Sequence, residues 1–147
     1  MVTEDYISFD TAKLLKKKGF NWNTDKQFNL DKIVGDYNIT DRSRYPEKYL
    51  DAPTLQMAMK WLREKHDILL IVDYDYECTG TPYCYKIYRL GEYGKPERVA
   101  VKGVSYDKYD NPTTHIVGWR DYERSYKDYG TYEDACEAGI KYCLNLI

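Results

Sequence analysis

The chain has 147 residues, 22 basic against 24 acidic, a formal net charge of −2, and 17 tyrosines against three phenylalanines. That length buries roughly two thirds of the unfolded surface in one core without metal or disulfide staples, so a single domain over residues 1–147 is expected. The balanced charge excludes a global field of the kind that draws a protein onto DNA or an anionic membrane.

The opening "MVTEDYISFD" is acidic where a signal peptide is basic, and no apolar segment follows it, which predicts a cytoplasmic protein. The longest aliphatic run, residues 68–72, is far short of the ~20 apolar residues of a membrane helix. In a reducing compartment the four cysteines are expected as free thiols. Tyrosine joins a rigid apolar ring to a polar end, so its excess predicts a surface-rich sheet.

In chain order, "SFDTAKLLKKKGF" predicts a helix over 9–18, capped by Ser8 and stopped at Gly19, with Phe20 returning to Leu15. Lys16, Lys17 and Lys18 lie where the helix dipole favours cations. Residues 21–52 show no sustained period and are expected to be irregular or loop-rich, with a short strand or turn. A core helix over 54–66 follows, with Pro53 in its first turn and Leu55, Ala58, Met59 and Leu62 on one face. Met57 and Trp61 flank that stripe as core or rim packing, and His66 falls in the last turn.

Strands are predicted over 68–77 and 83–90, then over 98–106 and 114–122, joined by turn-rich segments into a meander. The last element is a helix over 132–146, capped by Thr131, with Ala135 and Gly139 small enough to let it lie close on a sheet. The expected fold class is α+β: an antiparallel tyrosine-rich sheet of about four strands packed against two main helices, plus an N-terminal helix.

The stretch "IVDYDYECTGTPYCYKIYRL" sets the hairpin register. With a loop over 79–82, Cys78 opposes Tyr83, Tyr76 opposes Tyr85 and Tyr74 opposes Ile87, on one face with Val72. Asp73, Asp75 and Glu77 then share the other face with Cys84, Lys86 and Tyr88, Asp75 across from Lys86. Cys78 and Cys84 point to opposite faces, which rules out a shared metal or disulfide. Cys136 and Cys143, seven apart on a helix, are about 10 Å apart along its axis and read as small buried hydrophobes.

No cofactor is expected, because the chain carries no Walker loop, no G-x-G-x-x-G and no G-x-S-x-G. Asp73, Asp75 and Glu77 are a minor candidate metal set and read more simply as a solvated strand face. The segments "YCYKIYRL" and "YERSYKDYG" nominate Tyr88, Lys86, Arg89, Tyr122, Arg124, Tyr126 and Lys127 as binding residues, since rings and cations interleave there.

The segments "ISFDTAKLLKKKGF", "APTLQMAMKWLREKHDI" and "TYEDACEAGIKYCLNLI", about a third of the chain, resemble a family of small uncharacterised proteins. That family is encoded by Bacteroides-type gut bacteria and by their phages and prophages. The resemblance implies origin and carries over no catalytic or binding residue; against the family, residues 91–130 hold an added hairpin. The expectation is a non-enzymatic accessory protein that binds a host protein or small ligand through its tyrosine-rich surface. Single-stranded nucleic-acid binding is the alternative, and a metal-dependent enzyme using the carboxylates comes third.

Overall fold

A computed structural model describes residues 5–147. The first helix, α1 (Phe9–Lys17), is built as its sequence dictates. The Ser8 hydroxyl accepts from the Thr11 amide, Gly19 adopts φ +98°, and the Phe20 amide returns to the Leu15 carbonyl. Residues 21–52 are more ordered than their composition suggests. They hold β1 (Gln27–Phe28), β2 (Val34–Gly35), a short α2 (Ile39–Arg44), a 3-10 turn (Pro46–Lys48) and β3 (Leu50–Asp51). The strands form a small antiparallel sheet in the order β2-β1-β3. Three strands of two residues each are too short to leave a periodic signature.

Helix α3 (Leu55–His66) starts one residue later than expected. Thr54 is the cap, accepting from the Met57 amide, so Pro53 precedes the cap and is not in the first turn. Its buried face is Leu55, Ala58, Trp61 and Leu62, with Met59 only partly buried. Trp61 therefore belongs to the core, where it meets Phe20 at 5.6 Å and His66 at 4.6 Å between ring centroids.

Strands β4 (Ile68–Tyr74) and β5 (Tyr83–Arg89) pair antiparallel, Tyr74 opposite Tyr83 and Val72 opposite Tyr85. The loop covers residues 75–82, four residues longer than expected. The cause is Asp75, whose Oδ1 accepts from the Glu77 amide and whose carbonyl accepts from the Cys78 amide, turning the chain out of the strand early. The change shifts every pair but preserves both faces, so Lys86 bonds Asp73 at 2.8 Å in place of Asp75.

The expected four-stranded meander is divided. Strands β6 (Val99–Tyr106) and β7 (Pro112–Arg120) form a separate two-stranded hairpin, and the third strand beside β5 is β8 (Glu123–Arg124). The free edge of β5 is taken by residues 123–129: the Ser125 amide bonds the Tyr85 carbonyl, and Tyr83 and Tyr129 exchange two backbone bonds. Nothing on that edge is left for β6 to pair with. The class is α+β, with four helices and three antiparallel sheets among the described residues.

Helix α4 (Tyr132–Asn145), capped by Thr131, packs with α3 against one face of β4 and β5. A tyrosine layer fills this boundary: Tyr85 lies 6.0 Å from Tyr142 and 6.1 Å from Tyr129. Glu137 of α4 reaches the start of α1, accepting from the Ser8 amide and from the hydroxyls of Ser8 and Thr11. An anion at a helix N-terminus with three donors holds the two helices together. Glu137→Ala removes the acceptor of the fully buried Thr11 hydroxyl, which keeps only the bond from Ser8 Oγ at 3.0 Å, and is expected to cost about 1–3 kcal/mol, read as a lower urea midpoint at unchanged m-value.

Candidate interaction surfaces

The face of β4, β5 and β8 away from the helices brings together four of the nominated binding residues. Lys86 and Arg124 are cross-strand neighbours, the rings of Tyr88 and Tyr122 meet at a tilt with centroids 5.5 Å apart, and the Lys86 ammonium lies 4.8 Å over the Tyr122 ring. Both cations are ion-paired. Lys86 is bonded to Asp73, which lies below the usual carboxylate range because of that bond. Arg124 bonds Asp128 at 2.6 Å and approaches Asp75 at 4.0 Å. A face whose charges neutralise one another lacks the cation excess that counterion release requires.

The other three nominated residues lie elsewhere. Arg89 shares the opposite face with Ile87 and Tyr85, since side chains alternate along β5. Tyr126 is fully exposed, and the Lys127 ammonium sits 5.3 Å over the Tyr129 ring. The three candidate carboxylates are also apart: Asp73 is held by Lys86, Asp75 is in the turn, and Glu77 is exposed in the loop. Among the described residues no group of three or more histidines, cysteines and carboxylates is placed to hold a metal.

All four thiols are free. Cys78 donates toward Asp128 and Asp75 at 3.5 and 3.6 Å, and the Asp128 carboxylate pushes its thiol up to about 11. Burial raises Cys136 to about 11 and Cys143 to about 12. These are protonated thiols near neutral pH, without the lowered pKa of a nucleophile.

The surface that sequence reasoning passed over is the β6–β7 hairpin. One face carries Ala100, Lys102, Val104 and Tyr106 opposite Trp119, Ile116, Thr114 and Pro112, with an irregularity between Val101 and Lys102. Val104, Ile116, Val117 and Trp119 are each more than half exposed. The tip is well made: the Asp107 carboxylate accepts from the Tyr109 and Asn111 amides, bonds that hold it below the usual carboxylate range. Between the tip and the base the charged residues are Lys102 and Arg120, with no carboxylate. The signal was present in "RVAVKGVSY" and "THIVGWR", whose apolar residues are too many for a ribbon that faces water on both sides.

Among the described residues no helix is long and apolar enough to cross a membrane. The chain matches no family model, no curated protein and no solved structure.

Proposed function

We propose that the chain is a non-catalytic accessory protein, of phage or mobile-element origin, that binds a partner protein through the β6–β7 hairpin. The observation that carries this reading is an eight- and nine-residue hairpin exposing Val104, Ile116 and Trp119, with no third strand paired to it among the described residues. A two-stranded ribbon is marginal in water by itself, and a contiguous apolar face of this kind marks an interaction site. Each strand also has one open edge whose amides and carbonyls can extend a partner's sheet. The cations Lys102 and Arg120, with no carboxylate between tip and base, favour a partner surface that is apolar and acidic. Single-stranded nucleic acid is the competing reading, less well supported because Lys86 and Arg124 are ion-paired.

The test is affinity capture from a lysate of the bacterial host that the resemblance implies, with and without nuclease, by the native chain and by Ile116→Ser/Trp119→Ser. The expected result is a stoichiometric protein that survives nuclease and is depleted at least tenfold with the variant, at an unchanged melting temperature for residues outside the hairpin. Capture that nuclease abolishes supports the nucleic-acid reading instead. Equal capture by both chains places the contact elsewhere.

A further inference from the structure

A cavity of about 440 Å³ opens between α1 and the sheet of β1 and β3, closed on one side by the 3-10 turn Pro46–Lys48. Its floor is apolar. Phe28 is 4 % exposed, Phe9 meets it edge to face at 5.4 Å, and Leu50 is packed against the core. Leu30 stands among the lining residues 69 % exposed, where an apolar ligand would cover it.

The lining also carries Lys13, Lys16 and Lys17 from α1 and Lys48 from the turn, against Glu47 as its one carboxylate. Among the described residues none of these lysines lies within 4.0 Å of a carboxylate, whereas Lys26, Lys60, Lys86 and Arg124 elsewhere are all paired. The Lys13 ammonium is 5.6 Å from the Phe9 centroid, and a fifth ammonium, Lys32, is 5.3 Å from it. The helix dipole accounts for cations on the last turn of α1, at Lys16 and Lys17. It does not account for Lys13 in the middle of α1, nor for Lys32 and Lys48, which come from other places in the chain. Unpaired like charges within a screening length of about 8–10 Å repel one another, and a bound anion relieves that repulsion.

A cavity lined by aromatic and aliphatic side chains together with four lysines is complementary to a ligand with an apolar body and an anionic head. Lysines are point donors without the planar fork that arginine offers a carboxylate, and several of them around one opening suit a head with more than one charged oxygen. The volume falls in the range of single small-molecule sites. We propose that this cavity binds a single-chain amphiphile with a phosphate head, taken up as a monomer, its chain on Phe9, Phe28 and Leu50 and its head among Lys13, Lys16, Lys17 and Lys48. This proposal rests on a different surface from the hairpin and is independent of it.

Titration calorimetry with octyl phosphate, octyl glucoside and inorganic phosphate, each below any micelle concentration, tests it. Octyl phosphate is expected to bind once per chain and at least tenfold more tightly than either control. Lys13→Glu/Lys48→Glu changes two exposed side chains and should weaken it at least tenfold without moving the melting temperature; Leu30→Asp should weaken it as well. The hairpin variant Ile116→Ser/Trp119→Ser should bind octyl phosphate as the native chain does, so that failure here and failure of the partner reading are distinguishable. Equal binding of octyl glucoside, no saturable heat, or unchanged binding by the double lysine variant overturns the proposal. So does sedimentation with phosphatidylglycerol vesicles in the absence of octyl phosphate binding, which would identify a membrane surface as the occupant.

Discussion

Gly139→Val is expected to cost at least about 3 kcal/mol and to leave little folded protein at 37 °C, read from urea unfolding or from the yield of soluble chain. A β-carbon at this position would stand 2.6 Å from Leu70 Cδ1 and 3.2 Å from Tyr85 Cγ. The end of the Leu70 side chain can shift a little, but Leu70 is 4 % and Tyr85 7 % exposed beneath the helix, so there is no room for a branched side chain. Gly139→Ala separates the two effects at work. It gains about 1 kcal/mol of helix propensity and meets chiefly the end of the Leu70 side chain, so its net effect should fall within about 2 kcal/mol of zero. Valine adds two branches at the same point, and the whole helix must lift from β4 and β5. Native-like stability of the valine variant would mean that α4 does not lie this close to the sheet.

Alkaline pH is expected to unfold the domain well before its lysines titrate fully. Burial pushes Tyr85 up to about 12, and the bond from its hydroxyl to Glu123 does the same for Tyr142. With Cys136 and Cys143, four groups bind their protons more tightly folded than unfolded. Their contribution is complete below the unfolded values, about 8.5 for cysteine and about 10 for tyrosine, and drains away as pH rises through the folded values of about 11 to 12. At about 1.4 kcal/mol per pKa unit, the buried Tyr85 and Cys143 each withdraw on the order of 2–4 kcal/mol across that window. The melting temperature should be flat from about pH 6 to 8 and fall steeply above about pH 9. Cys143→Ala, less stable at neutral pH because of the cavity it leaves, should lose less over the same rise. A melting temperature level to about pH 11 would show that these groups ionise freely in the fold.

The helices were legible because their signals are local. Ser8, Thr54 and Thr131 cap as hydroxyl residues do, and Gly139 is where a close approach needs it. Trp61, expected beside the stripe as core or rim packing, is core, because the buried stripe of a helix is wider than four residues. The β4–β5 faces were read correctly and the register was not: alternation fixes which side a residue takes, whereas the Asx turn at Asp75 fixes where pairing ends. The hairpin itself is legible in residues 91–130, but its separation from β5 is not, because what excludes it is the edge of β5 already occupied by Ser125 and Tyr129. The cavity was illegible for a similar reason. Its lysines lie on α1 and near residue 48, and only the folded chain sets them around Phe9 and Phe28.

The contact of Glu137 with Ser8 and Thr11 joins residues 126 to 129 positions apart, and Lys18 reaches the Ile147 carbonyl across a similar span. Closing loops of that size costs entropy before any packing offsets it, which slows the step that joins α1 to α4. It also orders events on the ribosome. Helices α1 and α3 and strands β4 and β5 emerge with one flank uncovered, and the core cannot shut until α4 follows. Until α4 follows, the nascent chain therefore shows Leu15, Leu70 and Tyr85 to solvent, and its passage to the native state depends on what shields those side chains in that interval.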